Sequence, residues 1–131
     1  MFTLPKGEHN MTVSEIANDL VALCKTGDFT TPGEKYWADD VISVEPGGPA
    51  GMDPVSRGKS AAAAKGEWWA NTHTTNSVGV EGPWVNGDQF TVRFKMDVTV
   101  KESGQRMQMD EIALYTIKDG KIAEERFFYG G

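Results

Sequence analysis

From Phe90 to Val100 every second residue is apolar: Phe90, Val92, Phe94, Met96, Val98 and Val100 alternate with Thr91, Arg93, Lys95, Asp97 and Thr99. A period of two marks a strand with one face against a core. Asn86-Gly87, Ser103-Gly104 and Asp119-Gly120 punctuate this half of the chain, and Gly reaches the positive φ that tight hairpin turns demand. Together they predict four antiparallel strands in a meander. At about 3.4 Å per residue the strands run toward roughly 40 Å, long enough to coil and curve around whatever covers one face.

The first half has helical periodicity. Thr12 and Glu15 have capping-box spacing, and Ile16, Ala17, Leu20, Val21 and Cys24 form one apolar stripe that stops at Gly27. Thr31-Pro32-Gly33-Glu34 repeats the capping logic and opens a short helix carrying Tyr36 and Trp37 toward Ala38. Val41 to Glu45 reads as a short strand, and Pro46 to Gly51 forbids regular structure. A third helix is predicted from about Ser60, with Ala61, Ala64 and Trp68 on one side and Gly66 weakening it. The order is three helices with one strand among them, then the meander.

Register decides which side chains face inward. A two-residue turn at Ser103-Gly104 pairs Val98 with Met109, Met96 with Glu111, Phe94 with Ala113 and Val92 with Tyr115. Glu111 then points inward. A three-residue turn of Lys118, Asp119 and Gly120 sets Tyr115, Ala113 and Glu111 against Ala123, Glu125 and Phe127; a two-residue turn would face Glu124 and Arg126 inward instead. The three-residue form buries fewer charges and is preferred. The same reasoning at Asn86-Gly87 turns Val78, Val80 and Trp84 inward.

Composition narrows the function classes. With 131 residues, 39% of them hydrophobic, the chain suits one domain spanning 1–131, its first ten residues a loose arm. Thirteen basic against 19 acidic residues, net charge -6, disfavour a nucleic acid or an anionic membrane as partner. The one cysteine, Cys24, sits in an apolar stripe and fits a reducing cytoplasm. Two histidines, His9 and His73, are too few and too separated for an ordinary metal site, so no metal is expected. The glycines after Pro46 lack phosphate-binding spacing, and no nucleophile elbow surrounds any serine.

The first helix with Gly27-Asp28, the second running into Ala38-Asp39-Asp40, the strand Val41 to Glu45 ending at Pro46, and the block from Asp119-Gly120-Lys121-Ile122 to Phe127-Phe128-Tyr129 resemble the SnoaL-like branch of the nuclear transport factor 2 superfamily. The resemblance covers nearly the whole chain. It implies an α+β cone: a strongly bent antiparallel sheet, cystatin-like, wrapping three N-terminal helices around an apolar pocket. It also implies a homodimer through the outer sheet face, and no cofactor. Relatives include polyketide cyclases, ketosteroid isomerase, dehydratases, epoxide hydrolases and proteins without a known reaction, so fold is implied more firmly than chemistry.

Carried over from the isomerase pattern, Glu45-Pro46 matches the place of the proton-abstracting carboxylate, with Glu in place of Asp. The place of the oxyanion-stabilising tyrosine falls on Leu20, which cannot donate. The strand of the protonated acid holds Asp110, Glu111 and Ala113, of which Glu111 has the required facing. With the acids facing inward, Glu45 is read as base, Glu111 or Glu125 as hydrogen-bonding acid, and Tyr115 or Tyr129 as neutral donor; His73, following the Trp68-Trp69 helix, sits either at the rim or at the helix end bonded to backbone carbonyls. Trp37, Met52, Trp68, Trp84, Phe94, Met96, Met109 and Phe127 are assigned to the pocket wall. A carboxyl among such residues loses hydration, and its pKa rises toward neutrality.

The expectation is a pocket for a small, apolar organic molecule, with cofactor-free isomerisation, cyclisation or dehydration as its chemistry. The alternative is a noncatalytic ligand-binding or dimerisation module, whose inner glutamates pair with Arg57, Lys59 or His73 or stand in water after a one-residue slip.

Overall fold

The capping box forms as its spacing predicts. In a computed structural model describing residues 11–47 and 53–130, Thr12 Oγ1 accepts from Glu15 N at 3.1 Å while Glu15 Oε1 accepts from Thr12 N at 3.0 Å. Helix α1 (Val13–Lys25) buries Ile16, Ala17, Leu20, Val21 and Cys24. Helix α2 (Thr31–Tyr36) is capped differently from the expected Thr31/Glu34 box. Asp28 reaches forward, accepting from Thr30 N, Thr31 N and the Thr31 hydroxyl. An Asx-type bond from two or three residues upstream satisfies the same orphan donors. The expected N-terminal arm lies outside the described residues, as does most of the loop that begins at Pro46.

Trp37 opens a strand and does not end the helix: β1 runs Trp37–Val44, and β2, Val55–Arg57, returns beside it antiparallel. That short return was not legible, because three residues are too few to show a period. Helix α3 (Lys59–Thr72) leads into the meander β3 (His73–Asn86), β4 (Gln89–Val100), β5 (Arg106–Lys118) and β6 (Lys121–Phe128). The six strands lie in the order β2-β1-β6-β5-β4-β3, and β1 joins β6 in parallel, so the sheet is mixed.

Each hairpin departs from the expected register for a local reason. Between β4 and β5 the connection is longer than two residues: Val100 N donates to Gln105 O, and Gly104 N to Val100 O. Met96 therefore faces Met109, Phe94 faces Glu111, Val92 faces Ala113 and Phe90 faces Tyr115. The slip is two residues, an even number, so every side chain keeps its face. At Asp119-Gly120 the turn has two residues, with Lys118 opposite Lys121, and a bulge next to the Ile117–Ile122 pair sets Tyr115 against Glu125 and Ala113 against Phe127, two residues from the expected pairing and with the expected residues facing in. The bulge keeps Glu125 inside, at 7% exposure, despite the shorter turn.

Trp84 is where sidedness fails. A bulge between Glu81 and Trp84, around Gly82-Pro83, shifts the pairing by one, so that Trp84 faces Thr91. An odd shift turns it to the outer face, where it is 55% exposed, while Val78 and Val80 pack on the core as expected. Helix α3 is corrected in the same sense. Ala62 is its buried residue and Trp69 packs against the core, whereas Ala61, Ala64 and Trp68 are exposed. The inner stripe is Ala62, Lys65 and Trp69, one residue on from the predicted one. Four consecutive alanines gave no preferred side.

Candidate carboxyl site

β1, β6 and β5 are neighbours, and their register brings one polar group together on the inner face. Ser43 lies beside Glu125 and Val44 beside Arg126; Glu45 follows just past the end of β1, and Phe127 is the next residue of β6. Across β6, Tyr115 faces Glu125 and Ala113 faces Phe127. Glu111 is the next inward residue of β5, with Phe94 opposite it on β4. Three acids distant in sequence thus share one wall.

Glu125 is bound at both oxygens. Trp37 Nε1 donates to Oε1 at 2.7 Å and Ser43 Oγ donates to Oε2 at 2.7 Å. Trp37 is held from behind by Gly33, where a Cβ would fall 2.7 Å from the indole ring. Ser43 is fully buried and accepts a short hydrogen bond from Lys65 Nζ. Glu125 is therefore the anchor of a chain from Trp37 to Lys65, each of its oxygens held by one donor.

Glu45 is held loosely by comparison. Its Oε1 lies 3.9 Å from Lys65 Nζ, an ion pair longer than a hydrogen bond, and its buried Oε2 has no partner among the described residues. Burial raises its pKa; the Lys65 charge opposes this and Glu125 adds to it. Glu111 is pushed up to about 7, chiefly by burial, then by the negative charge of Glu45, with Lys65 opposing. Two buried carboxyls that repel one another disfavour joint ionisation. Lys65 was not foreseen in the sequence. Its signal is the spacing Ala62, Lys65, Trp69 on α3, readable only once the buried side of that helix is known.

The remaining candidates fall into place around this group. Tyr115 is 6% exposed, stacked on Phe90 at 4.8 Å, and its hydroxyl is held well above its usual pKa chiefly by burial and then by the charge of Glu125. Tyr129 is 37% exposed, its pKa raised by burial and then by Glu45 and Glu111, which places it within the field of both. Phe127 lies under Lys65, the ammonium 5.0 Å from the ring centroid. Phe94 and Met96 are core residues, Phe94 meeting Phe29 edge-on at 6.0 Å, and Met109 packs against that core.

His73, expected at the rim, stacks on Trp69 at 3.7 Å with its Nδ1 3.2 Å from the Trp69 carbonyl, and Trp68 meets it edge-on. None of these contacts joins it to the carboxyls. Met52 lies outside the described residues. Two surface hollows are lined elsewhere, one around Asp39, Arg57 and Lys59, the other around Asp40, Lys118 and Lys121. Arg57 and Lys59, considered as partners for the inner acids, thus face a different part of the surface. Among the described residues, no group of three or more His, Cys, Asp and Glu side chains is arranged to hold a metal ion, and no helix is long and apolar enough to cross a membrane.

With the fold and this wall described, comparison with known proteins gives the class. The family model for the SnoaL-like domain matches residues 11–129, and the chain belongs to that family. A crystal structure from Mesorhizobium loti, named as a candidate SnoaL-like polyketide cyclase and also as a carbohydrate phosphatase, is 52% identical; the match covers 91% of this chain and all of that one, with a TM-score of 0.84. A candidate isomerase from Bacillus subtilis is 20% identical over 92% of this chain and 90% of its own, TM-score 0.75. A ketosteroid isomerase-like fold from Catenulispora acidiphila, solved with trimethylamine, is 14% identical over 91% and 88%, TM-score 0.68. These last two share the fold. No curated protein matches. The architecture is the α+β arrangement of the nuclear transport factor 2-like and cystatin-like proteins.

Proposed function

We propose that the protein binds a small organic molecule against the Glu45–Glu111 wall and moves a proton within it, as a cofactor-free isomerase, cyclase or dehydratase. The observation that carries this is Glu45 Oε2, buried without a partner on the same face as a second carboxyl raised toward neutrality. A buried acceptor left unpaired costs about 1–3 kcal/mol, which a substrate hydrogen directed at it would offset. Glu45, beside the Lys65 charge, is the ionised base. Glu111, more deeply desolvated and repelled by Glu45, is the neutral acid.

The test is carboxyl titration by carbon-detected NMR. One side chain should titrate near pH 7 and vanish from that range in Glu111→Gln; Glu45→Gln, by removing a neighbouring negative charge, should move Glu111 downward. Every carboxyl titrating below pH 5 in the wild type would overturn the reading. A noncatalytic module draws support from Glu125, whose oxygens are both committed to Trp37 and Ser43. Such a module would bind a ligand as well in Glu45→Gln as in the wild type.

Two further proposals concern its setting. The outer face carries Phe128 and Trp84 exposed near half-buried Ile112 and Leu114, an apolar area suited to a second copy of the chain. Beyond it the same face is closed by charge pairs, Arg93 with Asp110 and Arg106 with Asp97. A cytoplasmic location is consistent with Cys24, buried and unpaired, its thiol pushed up to about 12 by burial first and then by the charges of Asp28 and Glu125.

A further inference from the structure

We propose that Lys65 is the oxyanion-holding group of this site, donating to the carbonyl oxygen of a substrate whose adjacent C–H is the one Glu45 deprotonates. This rests on Glu45 acting as the base. An ammonium has three N–H donors. Among the described residues Lys65 gives one to Ser43, while Glu45 Oε1 at 3.9 Å is too distant for a direct bond and the Phe127 ring takes none of conventional geometry. Donor capacity therefore remains beside the carboxylate whose other oxygen is unpartnered.

The arrangement sets a cation 3.9 Å from one oxygen of the base, whose other oxygen is the unpartnered one. Glu45 Oε2 forms a bond to the hydrogen on the α-carbon, and the C–H electron pair becomes a C=C bond. The π pair of C=O moves onto oxygen, where Lys65 donates to the developing charge. A proton delivered from the Glu111 carboxyl to carbon then reforms C=O, and Glu45 hands its proton back to Glu111, so no oxidant or cofactor is needed. The tyrosines are less suited to this task. Tyr115 is enclosed in the core against Phe90, and Tyr129 is open to water, where a hydrogen bond to an oxyanion competes with solvent. Ser43 and Phe127 hold Lys65 in place, the one by its hydroxyl and the other by its ring face.

The experiment is hydrogen–deuterium exchange at the methylene of phenylacetone in deuterium oxide, followed by proton NMR with the full chain. Wild type should exchange these protons faster than buffer, and Glu45→Gln should lose the acceleration. Lys65→Met should lose about a hundredfold, the scale of removing one oxyanion donor, while Lys65→Arg keeps most of the rate. Circular dichroism confirms folding; if Lys65→Met is unfolded, Lys65→Gln, which keeps an N–H for Ser43 without the charge, reads the same difference. Lys65→Met as fast as wild type while Glu45→Gln is inactive would overturn the Lys65 assignment and leave the base standing. Wild type no faster than buffer would overturn both.

Discussion

Ser43 and Glu125, on parallel strands 82 residues apart in sequence, meet in a hydrogen bond of 2.7 Å whose donor is fully buried. The bond ties the first strand to the last, and the carboxylate also holds Trp37. Glu125→Ala would strand two donors, one of them wholly buried, and should cost on the order of 2–4 kcal/mol in urea unfolding. Glu125→Gln, which keeps an acceptor, should cost less. Equal midpoints for wild type and Glu125→Ala would show that the anchor carries no stability.

Glu111 makes stability depend on pH in the reverse of the usual carboxylate sense. Its folded pKa, about 7, lies above the ordinary 4.5, so between these values the native state holds a proton that the unfolded state has released. Stability should therefore fall as pH rises through that window, with Glu45, also raised, contributing in the same direction. Glu111→Gln should flatten the slope and be the more stable protein at pH 8 by about 1–3 kcal/mol. Thermal melts from pH 5 to 8 give the comparison. A wild type that gains stability steadily with pH over that range would contradict the placement of Glu111.

Gly33 makes room for the Trp37 ring. Alanine there meets the indole at 2.7 Å, and should cost about 1–3 kcal/mol by forcing the ring off Glu125. The cost should shrink in the background of Trp37→Phe, whose smaller ring can retreat. A double-mutant cycle by chemical unfolding measures this coupling, and additivity would mean that the clash is relieved elsewhere.

The outer face supplies a prediction about assembly. Phe128 is 49% exposed beside Ile112 on the neighbouring strand, and Phe128→Glu should convert a dimer to a monomer without loss of fold. Analytical ultracentrifugation reads the mass directly. A wild type that sediments as a monomer at high concentration would dispose of the proposed interface.

Several parts of this molecule were readable from the chain because they depend on neighbours in sequence. The α1 cap needs only Thr12 and Glu15, three residues apart, and the inward row of β4 needs only a period of two. The inward facing of Glu111 survived a wrong turn length because the slip was even, and that of Glu125 survived because a bulge restored what a shorter turn had taken away. Trp84 had no such protection: the shift at Gly82-Pro83 is odd, and no local signal measured it.

The sequence by itself determined the meander, the helix order and the acids on the sheet's inner rows, since these follow from periodicity and turn chemistry. Only the tertiary structure decided what those acids meet. Lys65 belongs to the site because α3 turns Ala62, Lys65 and Trp69 inward, and the pairing of β1 with β6 sets Ser43 beside Glu125. A side chain's partners across a sheet or between layers depend on how separate elements pack, and burial then acts on the charges so assembled. The raised pKa of Glu111 is a property of that enclosure, absent from the residue and from its neighbours in the chain.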